Sequence, residues 1–293
     1  MNVDTLGRQL LFCTARIDRI TTSGIGTHGT GFLMHPECDG DRTYPALVTN
    51  KHVVADAAGL TARFIQKKPN ADEPDLGKEV LVQFAPDSIV GHPNPAVDVA
   101  VIPLGPLWPT IVERCFVRTI NLTMLATDMK DFYADAIEEI TFVGYPNGHR
   151  DPKHFTPIVR RGITATPLDL DMGGDPAFLV DGSVFGGSSG SPVFLLSDGS
   201  YRTVGGGFAF GDRLALVGII AKTMLRQAHL PVEVATAPHV KIAQELNLGV
   251  AFNARAIRET LEAAVAVGGA KLMPPGSEQG KPPVDEPEQP TAL

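Results

Sequence analysis

The chain has 293 residues, enough for one large or two ordinary domains with real cores. Hydrophobic residues make up 43% of it, with 30 Gly and 24 Pro, which fits a soluble, loop-rich protein of strands more than helices. The formal net charge of −8 argues against a nucleic-acid partner, which normally needs a basic face.

An apolar run of about 20 residues, the length a membrane span requires, is absent from the sequence. The N-terminal run Leu10-Leu11-Phe12 is too short for a signal peptide, and a cytoplasmic location is the expectation. The cysteines Cys13, Cys38 and Cys115 are odd in number and lack metal-ligand spacing. They read as reduced thiols, the alternative being one disulfide. No metal or cofactor is expected.

In chain order the segments are mostly short strands. Leu10–Ile20 is extended in character, and a turn around Gly24–Gly29 leads into the strand Thr30–Met34. Ala46–Asn50 is an apolar strand running into Lys51-His52-Val53-Val54. Leu60–Gln66, Val80–Phe84 and Val97–Leu104 continue the spacing typical of sandwiches and barrels. Pro106–Glu138 reads as a crossover. The second half repeats the style with Ile140–Tyr145, Pro157–Thr166, Ala177–Asp181, Val193–Leu196, Val204–Phe210, Leu214–Thr223 and Leu248–Phe252. From Ala254 the period changes, with Ile257, Leu261, Ala264 and Val265 on one helical face and Asn253 as N-cap. Gly268-Gly269 ends that helix, and the Pro- and Glu-rich tail after it lacks the apolar content for a core.

One stretch organises the chemistry: Phe185-Gly186-Gly187-Ser188-Ser189-Gly190-Ser191-Pro192. Its glycines admit a turn whose successive N–H groups form an anion-binding nest. A serine there is placed to attack a carbonyl while N–H groups hold the developing oxyanion. Alone, the run is equally what a flexible Gly/Ser turn needs. A serine hydroxyl requires a base, usually histidine. Of eight histidines, seven (His28, His35, His92, His149, His154, His229 and His239) sit in polar or turn-like surroundings. His52 follows directly on an apolar strand and precedes Val53-Val54, so it lies at a strand end beside a core. The base requires a carboxylate to fix its tautomer, and Asp98 stands at the edge of the apolar run Val99–Leu104. Asp56 and Asp87 lie in polar segments where a solvated role suffices.

Together, Gly29-Thr30-Gly31-Phe32, Thr49-Asn50-Lys51-His52-Val53-Val54, Asp98-Val99-Ala100-Val101-Ile102, Val143-Gly144-Tyr145-Pro146 and the serine stretch resemble the trypsin-like, chymotrypsin-fold serine peptidases. The order His, Asp, Ser also fits, and the likeness is to bacterial members related to HtrA/Deg proteases. It covers roughly residues 8 to 266. What the resemblance implies is an all-β fold of two six-stranded antiparallel Greek-key barrels with a C-terminal helix. Residues 1–118 would be the N-terminal barrel carrying His52 and Asp98, and 119–253 the C-terminal barrel carrying Ser189. Residues 254–267 would be the helix and 268–293 a disordered tail.

The resemblance further implies a serine endopeptidase with Ser189 as nucleophile, His52 as general acid/base and Asp98 as its orienter. Gly187, Ser188 and Ser189 would build the oxyanion hole. Ser183 would lie on the floor of the pocket for the residue before the scissile bond. Without an acid there, small or apolar residues are expected. Gly249, Val250 and Ala251 would pair with an extended protein or peptide substrate. The sequence departs from the pattern in having Ser188 where the digestive branch has an acid, so N-terminal cleavage should not be needed for activity. Ser191 replaces the usual second glycine, and the tail is too short for a PDZ module. A regulatory protein partner could then order the site; the oligomeric state is not read from the sequence.

The run also matches G-x-S-x-G, the nucleophile elbow, with Ser188 as nucleophile. That motif needs a helix next, and Pro192-Val193-Phe194 reads as strand. The alternative function is a catalytically silent trypsin-like fold serving as a protein-binding or regulatory module.

Overall fold

The computed structural model describes residues 1–132, 134–203, 207–231 and 239–274. The first half is one antiparallel sheet of seven strands: β1 (Thr14–Thr21), β2 (Gly26–Met34), β3 (Ala46–Thr49), β4 (Ala57–Lys67), β5 (Pro74–Phe84), β6 (Val90–Gly91) and β7 (Ala100–Pro103). Their order is β5-β4-β1-β2-β3-β7-β6. In β4 the period of two is plain: Leu60, Ala62 and Phe64 are buried while Arg63 lies between them on the other face. One core takes Ile17, Leu33, Leu47, Phe64, Phe84 and Ile102 from strands across the whole sheet, so the sheet curls around it. This half departs from the expected six-stranded closed barrel in having a seventh strand and no ladder joining β5 to β6 among the described residues.

The second half closes. Strands β8 (Glu139–Gly144), β9 (Ile158–Thr164), β10 (Ala177–Asp181), β11 (Pro192–Ser197), β12 (Arg213–Pro231) and β13 (His239–Asn253) form a barrel in the order β8-β9-β10-β13-β12-β11, with β11 returning to β8. The expected strand at Val204–Phe210 begins outside the described residues and is seen as Phe208–Phe210, paired with Ser200–Arg202.

A helix, Ala254–Val267, follows β13, and the Asn253 side chain accepts from Ala256 N at 3.2 Å as its N-cap. Ile257 and Leu261 share one core with Phe32, Val48 and Val101 of the first half and with Val143, Phe194 and Phe252 of the second. The helix therefore seals both halves onto one apolar centre. His92, expected in an exposed loop, is buried and meets Glu259 of this helix at 2.9 Å.

The tail expected to be solvated from Gly268 onward is docked over its first residues. Lys271 N donates to Asp39 Oδ1 at 3.1 Å, Asp39 N to Lys271 O at 2.9 Å, and Met273 N to Glu37 O at 3.1 Å. Backbone groups at Glu37–Cys38, left unpaired on one edge, supply the reason. The rest of the tail, from residue 275, lies outside the described residues. All three cysteines are free and buried.

Candidate active site

His52 and Asp98 come together because their strands are neighbours. Strand β3 ends at Thr49, which pairs with Ala100 at the start of β7. His52 sits on the helical turn Lys51–Val54 just after β3, and Asp98 just before β7. The carboxylate grips the histidine twice: His52 Nδ1 lies 2.5 Å from Asp98 Oδ2, and His52 N donates to Asp98 Oδ1 at 3.0 Å. Asn50, fully buried, donates from Nδ2 to Asp98 O at 2.6 Å and fixes the backbone of the acid. With Nδ1 turned to the carboxylate, Nε2 is left to exchange a proton with a reacting group. Asp56 instead accepts from Thr22 Oγ1 at 2.6 Å, and Asp87 lies in a turn, so neither rival acid reaches His52.

Ser189 stands in the turn between β10 and β11, and the next element is the strand β11, as the trypsin-like reading requires and the elbow motif forbids. Gly187 holds φ +82, and a Cβ there would lie 2.6 Å from Tyr145 O. Gly190 holds φ +89, and a Cβ there would lie 1.8 Å from Thr30 O. Only glycine fits either place. The turn is pinned from outside: Asn147 N donates to Gly186 O at 2.5 Å, Thr30 Oγ1 to Gly187 O at 2.9 Å, and Thr30 N to Ser189 O at 2.8 Å. Among the described residues, the N–H groups of Gly187 and Ser189 donate to no acceptor. Ser188 N–H is engaged by Phe185 O at 3.0 Å, so it is not free for an oxyanion, against expectation. The Ser188 hydroxyl is buried and lacks a hydrogen-bond partner.

Gly249, Val250 and Ala251 lie in β13, which is paired on both edges, to β10 through Leu179–Val180 and to β12 through Thr223, Lys222 and Ile220. An interior strand has no backbone groups to offer, so the expected pairing of substrate with Gly249–Ala251 is corrected. The edge next to Ser189 is β12 itself beyond Ile219, where its pairing with β11 stops and Ser189 Oγ donates to Ala221 O at 2.8 Å. Ser183 lies half-buried in the loop after β10, beside Val184, whose carbonyl accepts from Thr223 Oγ1 at 2.9 Å. Val184 packs over Gly249, its Cγ2 lying 2.6 Å from where a Cβ would stand.

His28, expected in an exposed loop, lies in β2. It projects from β2 against the serine turn, with Cδ2 3.0 Å from the Cβ position of Gly187, and burial pushes its pKa down. Its alternation with Thr30 along β2 was the available signal.

Comparison with known proteins bears on family and fold. The model of the trypsin-like peptidase domain matches residues 29–204. The chain belongs to that family. No curated protein matches it. Among solved structures, the HtrA-type protease AlgW, crystallised with a tripeptide, is similar at 14% identity with a TM-score of 0.50; the match covers 92% of this chain but 65% of that one. Rv3671c of M. tuberculosis H37Rv, as a serine-to-alanine mutant in its inactive form, is similar at 16% identity with a TM-score of 0.46, covering 90% of this chain and 92% of that one. Its active form is similar at 17% identity with a TM-score of 0.43, covering 89% and 83%. The likeness to AlgW bears on the trypsin-like fold alone.

Proposed function

We propose that the protein is a serine endopeptidase with Ser189 as nucleophile, His52 as general acid/base and Asp98 as its orienter. The observation that carries this reading is the pair of hydrogen bonds that Asp98 accepts from His52, which aims one imidazole nitrogen at the carboxylate. In the first step Ser189 Oγ bonds to the scissile carbonyl carbon as its proton passes to His52 Nε2. The oxygen of the tetrahedral adduct takes the electron pair and is held by Gly187 N–H and Ser189 N–H, each worth about 3 kcal/mol in such sites. His52 then gives its proton to the leaving amine, and the carbon–nitrogen bond breaks to leave an acyl-enzyme. Water, deprotonated by His52, cleaves the ester and restores the hydroxyl.

The substrate would lie as an extended segment along Ala221–Thr223 and add a strand to β12. Its side chain before the scissile bond would enter beside Ser183 and Val184. Val184 over Gly249 supports a small apolar residue there.

A fluorophosphonate probe tests the reading, because it labels only an activated serine. Labelling of the wild type that is lost in Ser189→Ala and His52→Ala and kept in Ser188→Ala is the expected result. Labelling that survives Ser189→Ala ends the assignment. No labelling of the wild type favours the catalytically silent binding module.

A further inference from the structure

Thr30 is fully buried in β2, yet neither partner of its hydroxyl belongs to its own half of the molecule. Thr30 Oγ1 donates to Gly187 O at 2.9 Å and accepts from Tyr145 N at 3.0 Å, so its one proton and one lone pair are both used across the interface. Its main chain continues the clamp. Thr30 N donates to Ser189 O at 2.8 Å, and Thr30 O accepts from Thr49 Oγ1 at 2.7 Å on the strand that leads to His52. A buried strand position with a β-branched side chain is filled as well by valine, unless the hydroxyl has a task.

The task follows from the peptide geometry of the serine turn. In a planar trans peptide the C=O and the next N–H point in opposite directions, so whatever holds the carbonyl also aims the amide. Gly186 O is held by Asn147 N, which aims Gly187 N–H. Ser188 O is held by Ser191 N at 3.0 Å, which aims Ser189 N–H. The peptide between them, Gly187–Ser188, has its carbonyl on Thr30 Oγ1. If that middle peptide turns, both neighbours turn with it, and glycine at 187 offers little resistance.

We infer that Thr30 is a positioning residue whose hydroxyl ties the Gly187 carbonyl and so keeps the Gly187 and Ser189 amides aimed together at the reacting oxygen. The inference rests on the serine-peptidase reading of those amides; the tie itself does not. Neither proton nor substrate passes through Thr30. It acts on the chemistry only through the turn.

The experiment compares Thr30→Val, Thr30→Ala and Thr30→Ser with the wild type. Four readouts are used: peptide turnover, inhibition by a peptidyl boronic acid, amide exchange resolved by residue, and thermal melting. Thr30→Val and Thr30→Ala should lower kcat roughly 10²-fold, the size of losing one oxyanion donor, with KM within about twofold. Boronic acid affinity, which reads the tetrahedral adduct, should weaken in the same proportion. Exchange should quicken at Ser188 and Tyr145 and stay unchanged in the strands around them. Thr30→Ser should restore all of these to within a few-fold.

Wild-type kcat in Thr30→Val overturns the inference. So does a Thr30→Ser variant as impaired as Thr30→Val, which would make the methyl group the cause. Collapse of the fold in both Val and Ala variants would assign the hydroxyl to stability and overturn the positioning role. If the wild type has no turnover and takes no probe, the peptidase reading fails instead. The exchange pattern then decides the tie alone: quickening confined to the serine turn and Tyr145 supports it, and wild-type exchange ends it.

Discussion

The Ser189 hydroxyl donates to the carbonyl oxygen of Ala221 at 2.8 Å, on the free edge of β12, and among the described residues that is its one hydrogen bond. Under the proposed function, the nucleophile would rest on the same acceptor that an extended substrate needs. A peptide whose N–H reaches Ala221 O competes for it, and the displaced hydroxyl is then free to turn to His52 Nε2. Under the proposed mechanism, substrate binding and serine release become one event.

A substrate N-methylated at the residue that supplies the scissile carbonyl lacks that N–H. Losing one hydrogen bond of ordinary net strength, about 0.5–1.5 kcal/mol, already costs up to roughly tenfold. With the undisplaced hydroxyl added, the expected loss in kcat/KM is about tenfold. Equal turnover of the methylated and parent peptides in a competition assay would show that Ala221 O is not the shared acceptor.

Asp98→Asn tests the orienter. An amide keeps one oxygen for His52 N, but then presents NH2 to Nδ1, which favours the tautomer with its proton on Nε2. That nitrogen can no longer take the serine proton. The expected fall in kcat is on the order of 10⁴-fold with little change in melting temperature. A loss of less than about tenfold, measured on a peptide substrate, would remove Asp98 from the site.

The three residues of the proposed triad stand out in the sequence because each sits at a boundary that leaves a mark. An apolar strand ends at Thr49 before His52, an apolar strand begins after Asp98, and glycines crowd Ser189. The docking edge was not legible. Neither Gly249–Ala251 nor Ala221-Lys222-Thr223 marks itself as interior or edge, because that depends on pairing between β10 and β13, far apart in sequence. Thr30 was quoted within a motif, but its role depends on Gly187 and Tyr145, both supplied by the other half. Docking of Lys271–Met273 was hidden for the same reason, since composition records the lack of a core and not an unpaired edge at Glu37–Cys38.

Burial pushes the thiols of Cys13 and Cys115 up to about 12 from an ordinary 9.0. At pH 8 a disulfide reagent should therefore leave both unmodified in the folded protein and react with both once denaturant is added. The pH dependence of stability has a definite sign. Below pH 9 both folded and unfolded states keep these protons. Between pH 9 and 12 the unfolded state releases them while the folded state does not, so stability falls as pH rises. A Cys13→Ala, Cys115→Ala double variant should lose less melting temperature than the wild type between pH 9 and pH 11. An identical slope would show that neither thiol is held neutral by the fold.

The docked residues after the helix make a second truncation test. A chain ending at Pro274 keeps the three hydrogen bonds that Lys271 and Met273 make with Glu37 and Asp39; a chain ending at Gly269 loses all three. Exposed hydrogen bonds of this kind contribute about 0.5–1 kcal/mol each, so the shorter chain should be less stable by about 1–3 kcal/mol. For a protein of this size that is a drop of a few degrees in melting temperature. The contact is also tied to the helix Ala254–Val267, because Tyr44, next to the strand at Arg42–Thr43, donates its hydroxyl to Ala264 O at 3.2 Å. Turnover on a small substrate at 25 °C should nevertheless be equal in the two chains, since none of these groups touches His52, Asp98 or the serine turn. Melting temperatures that coincide within a degree would mean that the pairing with Glu37–Cys38 contributes nothing to the fold in solution.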